Sequence, residues 1–478
     1  MEEDKEKGQE EPVDPFKVEF SPNDPMNPKC WTRGRKWVVT LMMSGITFIS
    51  PASSSIVAPA ASHISEEFNI TDEVLSQITI SIFILAYAIG PMFLSPLSEI
   101  YGRRPIIQVA NAVFLIFNLV CGFAKNKEQL IVFRFFAGLG GSAPLAVGGG
   151  IVGDIWTAEE RGKAIALFSL MPVLGPGVGP IAGGFISEHT TWRWAFWATT
   201  IADGVMMIGL YILMKETYAP RILHDMTKKM IKETGDDRYY NVYEKNRTPV
   251  LQLIATSIAR PLRMLATQPI IQFLSLYMAF LYGLLYIILT TFPTIWTEQY
   301  HESTGIGGLN YIAISLGYLG GIQIGSRLLD RIYCHLKEKN GGDGVPEYRV
   351  PIMWVSSWVL PIGLFWYGWS AEKHIHWIMP DIGAFILCMG LIMSYTCVQN
   401  YVIDAYNLYA ASALAAVAFI RSLCGFAFPL WAPYMYNALG LGWGNSLLGF
   451  LGIAIGVPAP WFLWFYGQRL RAKSNFTR

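Results

Sequence analysis

The sequence predicts an all-α integral membrane protein with twelve transmembrane helices in two pseudo-symmetric six-helix halves. Three observations carry that expectation. Apolar types make up 53% of the 478 residues and charged types only 15%, too few charges to cover a soluble protein of this size. Apolar windows near the twenty residues that cross a bilayer recur twelve times. Lys and Arg also gather on one side of the resulting topology, as they do in multi-span proteins.

Residues 1–36 form a polar tail that lacks a basic segment followed by a short apolar core, so no cleavable signal peptide is expected. Spans fall at about 37–59, 76–97, 105–124, 131–154, 162–186 and 194–215, then at about 269–292, 306–329, 350–370, 377–399, 411–436 and 443–466. The first six make an N-terminal half, 37–215, and the last six a C-terminal half, 269–466. A polar loop, 216–268, separates them, and residues 467–478 form a short tail. Ten basic residues run from Lys215 to Arg263. With the termini inside, only Lys125, Lys127, Arg193 and Lys373 lie in outer loops, and Arg134 and Arg421 lie within spans. Both termini are therefore expected in the cytoplasm, with the chain in the plasma membrane. Asn69-Ile70-Thr71 is then a glycosylation candidate on the outer side. The matching triplets at Asn246 and Asn475 fall inside and should stay bare.

Composition also excludes several functions. The six cysteines show no Cys-x-x-Cys pair, so neither a disulfide framework nor a metal site is expected. There is no Gly-x-x-x-x-Gly-Lys-Ser/Thr loop, no His-Glu-x-x-His and no nucleophile elbow. The chain reads as neither an enzyme nor an ATP-driven pump, and no cofactor is implied. A net charge of +1 gives no attraction to nucleic acid. The basic central loop suits anionic lipid headgroups instead. The partners expected are the lipid bilayer, a small organic substrate and protons, and one chain suffices as a monomer.

Four stretches carry mechanism. Between spans two and three stands Ser95-Pro96-Leu97-Ser98-Glu99-Ile100-Tyr101-Gly102-Arg103-Arg104-Pro105, a carboxylate, a turn glycine and two arginines at an inner helix end. The plain alternative is an ordinary basic loop. At the corresponding place in the second half Ser326-Arg327-Leu328-Leu329-Asp330-Arg331 sets Asp330 where Glu99 stands, which favours duplicated halves. Span four carries Arg134, which faces a polar cavity or else snorkels to the outer interface. Span five reads Gly175-Pro176-Gly177-Val178-Gly179-Pro180-Ile181-Ala182-Gly183-Gly184. Gly175, Gly179 and Gly183 recur every four residues and make a smooth face for close helix packing, with prolines that bend the helix beside it.

With these motifs the sequence resembles the major facilitator superfamily, in particular its fungal twelve-span drug:proton antiporter branch, over nearly everything from Trp31 to Ser474. Pro96-Leu97-Ser98-Glu99 with Tyr101-Gly102-Arg103-Arg104 is similar to that superfamily's loop signature, with Ser95, Glu99 and Ile100 departing from its commonest form. Arg134 and Gly138 fit its span-four signature, whose arginine is implicated in proton coupling. Gly175, Gly179-Pro180 and Gly183-Gly184 fit the span-five signature associated with antiport, and Ala166 replaces a glycine at its start. Glu216-Thr217-Tyr218-Ala219-Pro220, Pro346-Glu347-Tyr348-Arg349 and Asn400-Tyr401-Val402-Ile403-Asp404-Ala405-Tyr406 resemble the same branch. The resemblance implies alternating access between two halves.

Other polar residues lie inside spans. Asp203 in span six is either a proton-coupling partner of Arg134 or a neutral group against a neighbouring helix. Arg421 in span eleven needs neutralising, and a gating pair with Glu99 is conceivable. Glu99, Gly102, Arg103, Arg104, Asp330, Arg331 and Arg421 make up the candidate cytoplasmic gate. Asp154, Asp404 and Asp381 read as solvated interface charges. Tyr277, Tyr282, Asn310, Tyr311, Tyr318, Gln323, Tyr395, Gln399 and Asn400 combine aromatic faces with hydrogen-bonding tips, which suits an amphipathic organic substrate. The reading is a proton-coupled antiporter exporting drugs, toxins or secondary metabolites. The alternatives are a permease for a polyamine or organic acid and a non-transporting membrane sensor.

Overall fold

The apolar windows fold as helices in the structure, a computed structural model that describes residues 14, 16–21, 24–157, 160–243, 250–341, 344–406, 409–472 and 474. Spans one to six are Arg33–Glu67, Glu73–Tyr101, Arg103–Cys121, Lys127–Ile155, Arg161–His189 and Arg193–Leu213. Spans seven to ten are Pro269–Gln299, Thr304–Lys339, Pro346–Glu372 and Ile378–Tyr406. The last stretch, Ala410–Ala472, is long enough for two passages. It breaks at Gly440, whose φ of +73° no helix accommodates, and so supplies spans eleven and twelve. Twelve passages return both chain ends to one membrane face, the terminal face. The loops after odd-numbered spans lie on the opposite, distal face, and exposed Asn69 lies in the first of them. The triplets at Asn246 and Asn475 lie outside the described residues.

Two helices follow span six on the terminal face, Ala219–Thr234 and Val250–Thr267. The second packs against spans two and eleven, one from each half. The N-terminal tail is tied down beside them: Val18 N donates to the Tyr240 carbonyl at 2.8 Å and Tyr240 N to the Phe16 carbonyl at 3.0 Å.

Within each half, glycine sets the closest approaches. A Cβ on Gly175 would meet the Phe48 carbonyl, on Gly179 the Ala52 carbonyl and on Gly183 the Ile56 carbonyl. Span five therefore lies backbone against backbone on span one, along the four-residue stripe read from the sequence. Gly363, Gly383 and Gly390 do the same between spans nine and ten.

Span five turns a second glycine face to the other half. Gly177 abuts Ser315, and Gly184 abuts Thr304, Gly305 and Gly308 of span eight. At the distal end Glu188 accepts from Ser303 Oγ at 3.0 Å and from Gly305 N at 2.5 Å, and Asn437 Nδ2 donates to Glu73 at 3.1 Å. Mid-membrane, Ser54 and Tyr286 hydroxyls lie 3.4 Å apart. Toward the terminal face no ion pair or hydrogen bond between described residues joins the halves. Hydrogen bonds thus join the halves distally, where a cleft of about 480 Å³ also lies between them, lined by Ser62 and Gln77 of the first half and Glu298 and Asn437 of the second.

Gly183→Ala is expected to lower stability by about 1–3 kcal/mol through overpacking against span one, read as a fall in the melting midpoint of purified protein. Gly162→Ala, where nothing lies within 4 Å, should melt like the unaltered chain.

Candidate functional site

The terminal end of the first half is organised around Glu216. Its Oε1 accepts from the backbone N–H of Arg103, Thr217 and Tyr218, each at 2.9 Å, and Oε2 from that of Arg104 at 3.2 Å. The carboxylate thus sits on the N-terminus of span three, where unpaired N–H groups and the helix dipole favour an anion. Gly102, with a φ of +101°, makes the turn between spans two and three, and any Cβ there would strike this carboxylate. The Arg103 side chain donates to Ser98 Oγ at 2.7 Å and to Asp154 Oδ2 at 3.4 Å, with its guanidinium 4.9 Å above the Tyr218 ring. Burial pushes the Tyr218 phenol up, and nearby Glu99 adds to this while Arg103 opposes it. Arg104 donates to the Tyr211 carbonyl at 3.2 Å.

The second half repeats the plan with Arg349 rather than Arg331. Arg349 donates to Asp404 at 2.8 Å and to Asp330 at 3.0 Å, and its guanidinium lies 4.1 Å over Tyr333. Arg349 lies in the opening turn of span nine as Arg103 opens span three, and Asp404 ends span ten as Asp154 ends span four. Glu347 accepts from Arg471 at 2.5 Å and 3.2 Å and from the Tyr401 hydroxyl at 3.3 Å, tying span twelve to span ten. Two expectations change. Asp154 and Asp404 are ion-paired rather than merely solvated, because the symmetric arginines reach them. Arg331 is exposed and belongs to no ion pair among the described residues. Glu216, Glu347 and Arg349 lie in stretches that stand out in the sequence, but nothing there gives them partners.

Two arginines lie within spans, Arg134 in span four and Arg421 in span eleven. Arg134 is 1% exposed, so it does not snorkel. Its Nη2 donates to the carbonyls of Ser54 and Ile80, both at 3.0 Å, and the guanidinium stands 5.4 and 5.6 Å from the Phe83 and Phe196 rings. Its Nε and Nη1 have no partner. Arg421 is half-buried, hydrogen-bonds the Tyr395 hydroxyl and lies 5.0 Å over Tyr282 and 5.4 Å over Tyr395. Its partners are thus tyrosines, not Glu99. The Tyr282 and Tyr286 rings are 5.1 Å apart, and Tyr286 reaches Ser54, whose carbonyl Arg134 holds. A continuous polar and aromatic chain therefore links the two arginines across the halves. Neither forms an ion pair with a carboxylate among the described residues.

The substrate candidates separate. Tyr282, Tyr395, Gln399 and Asn400 are half-buried, and Gln399 Nε2 donates to the Tyr395 hydroxyl at 2.9 Å. Tyr277 and Tyr311 are core residues, bonded to Ser394 Oγ and the Leu289 carbonyl. Tyr318 is buried with a free hydroxyl. Gln323 is exposed on the Ile312–Leu316 side of span eight, and Asn310 bonds Glu302 near the distal face. Asp381, expected to be solvated, is only 8% exposed. It faces a groove between spans eight and ten.

Asp203 is fully buried against span three. Its Oδ2 accepts from Asn111 Nδ2 at 2.7 Å, while its Oδ1 and the Asn111 Oδ1 both lack partners. One proton on the carboxyl satisfies both oxygens at once and makes a neutral acid–amide pair. An ionised carboxylate would leave them unpaired in a medium that penalises buried charge.

The comparisons follow the same lines. The family model described as Major Facilitator Superfamily matches residues 43–429. The efflux pump vrtL of Penicillium aethiopicum is 50% identical over 455 residues, covering 95% of this chain and 90% of that protein. The efflux pump radE of Floropilus chiversii is 41% identical over 469 residues, covering 98% and 87%. The xylose transporter XylE from E. coli, in an inward-open conformation, superposes with a TM-score of 0.66 at 14% identity over 90% of this chain and 96% of its own.

Asp203→Asn, which keeps an amide–amide hydrogen bond, should melt and transport like the unaltered protein. Asp203→Ala strands Asn111 and should cost about 1–3 kcal/mol, measured by thermal melting. Loss of transport in Asp203→Asn with normal melting would show that the carboxyl works in coupling.

Proposed function

The chain belongs to the major facilitator superfamily, a family of membrane transporters, and from that premise we propose that it is a proton-coupled exporter of aromatic amphiphiles that are neutral or anionic. One observation carries the substrate class: Arg134 and Arg421 are joined by tyrosines, with no carboxylate among the described residues paired to either. Tyrosine faces accept flat apolar rings, and a half-buried Arg421 offers donors to a phenolate or carboxylate. A cationic substrate would meet uncompensated positive charge in a low dielectric, at a cost of several kcal/mol. The same electrostatics disfavour polyamines.

Export is the direction that the fungal efflux relatives support, with the terminal face in the cytoplasm of the plasma membrane, as the Lys and Arg distribution indicates. Substrate enters from the terminal side and leaves when the distal hydrogen bonds between the halves open. Arg134 is assigned to coupling. A fixed positive charge lowers the proton affinity of any titratable group beside it and so favours release of a proton that such a group carries. Asp203 serves the packing of spans three and six. Glu99, Arg103 and Arg104 close the cytoplasmic side in the outward-open state. A second reading, electrogenic export of an anion, is favoured by the lack of a paired carboxylate beside either arginine among the described residues: a membrane potential of 100 mV alone supplies about 2.3 kcal/mol per charge.

Transport in proteoliposomes tests both readings, with pH gradient and potential imposed separately. A phenolic or carboxylated aromatic compound should move when the pH gradient is imposed and stop with a protonophore, and Arg421→Ala should slow it about ten-fold or more. Movement driven by potential alone gives the anion reading. Preference for a quaternary ammonium compound contradicts the assigned substrate class.

A further inference from the structure

Spans eight and ten leave a groove of about 620 Å³ near the distal face. Its wall on span eight is Ile306, Leu309, Ile312 and Leu316, recurring every three or four residues and all exposed. That stripe spans about 15 Å at 1.5 Å per residue, half of a ~30 Å hydrocarbon layer. It matches one leaflet.

The distal end of the groove is acidic. Glu302 and Asp381 both line it, and no basic side chain does. Asn310 Nδ2 donates to Glu302 Oε2 at 2.8 Å. Asp381, in the first turn of span ten, is 8% exposed and its Oδ1 has no partner. Two carboxylates bordering one low-dielectric groove repel each other unless one takes up a proton or a cation lies between them. The level at which they sit is the end of the spans, where headgroups begin.

We propose that this groove binds a bilayer phospholipid whose headgroup ends in a primary ammonium, with an acyl chain along the span-eight stripe and the ammonium at Asp381 and Glu302. An ammonium carries N–H donors and no acceptor, which complements an acceptor-only pair. A trimethylated headgroup has no N–H, so it leaves Asp381 Oδ1 unsatisfied, and a phosphate-ended or glycerol-ended headgroup adds no compensating charge. The lipid covers apolar surface that faces the bilayer in any case, so selectivity resides in the headgroup. This binding is independent of export, and its test involves no transport.

The test is native mass spectrometry of the full chain released from nanodiscs that contain equal parts phosphatidylethanolamine, phosphatidylcholine and phosphatidylglycerol. Phosphatidylethanolamine should be retained over phosphatidylcholine by about five-fold or more. Retention should fall stepwise through the mono- and dimethylated ethanolamine lipids. Asp381→Asn should remove that preference while phosphatidylcholine retention stays unchanged. The methylation series uses the unaltered chain, so it decides the matter even if the variant does not fold. Equal retention of the ethanolamine and choline lipids, retention of phosphatidylglycerol above both, or an intact preference in Asp381→Asn would overturn the proposal. Retention of dodecylamine with displacement of the lipid would also overturn it, in favour of a single-chain amine as occupant.

Discussion

Each half of this protein neutralises its terminal-face charges without help from the other. Arg103 meets Asp154, Arg349 meets Asp330 and Asp404, and Arg471 meets Glu347, all within one half. Lys36 and Glu160, 3.8 Å apart, follow the same rule. Breaking a partly buried pair by separating its members costs several kcal/mol. Because no such pair between described residues crosses the halves, parting them there strands no charge. Where the halves do touch, glycine meets glycine or serine, one hydroxyl pair and exposed hydrogen bonds join them, and apolar side chains such as Ile84 of span two share a buried cluster with the second half. Those are the contacts a rocking interface can exchange at small cost.

Span five joins the two requirements. Its Gly175, Gly179 and Gly183 stripe fixes it to span one, while Gly177 and Gly184 let it slide against span eight. The same helix is therefore rigid in its own half and smooth toward the other. Inside the spans the opposite electrostatic choice is made: among the described residues no carboxylate pairs with Arg134 or Arg421, and the chain of Ser54, Tyr286, Tyr282 and Tyr395 spreads between them. Unpaired charge is costly in a bilayer unless it has work to do, and the proposed substrate site is placed beside these arginines for that reason.

Much of the fold was legible because a bilayer demands long apolar helices, a demand every window meets independently. The glycine stripe of span five was legible for a related reason, since its four-residue period is local. Charge partners were not. Arg103 and Asp154 are far apart in the chain, and Glu216 reaches span three from beyond span six. Asp330 was visible as the counterpart of Glu99, yet its arginine proved to be Arg349, because Arg331, one residue on, points about 100° round the helix from it. Asp381 read as surface because it lies near a span end, and only the packing of spans eight and ten buries it. Gln323 and Asn310 show the same limit: span membership gives depth, and facing comes from neighbours.

Rocking of two intact halves is tested most directly by double electron–electron resonance in liposomes. Spin labels at exposed Glu66 and Lys373 report the distal side, and labels at exposed Lys163 and Lys337 the terminal side. The background replaces exposed Cys30 and Cys334 and half-buried Cys424 by Ser. Two populations are expected, in which the distal distance lengthens as the terminal distance shortens, with their ratio moved by a transported compound. A single fixed pair of distances, or both lengthening together, would contradict it.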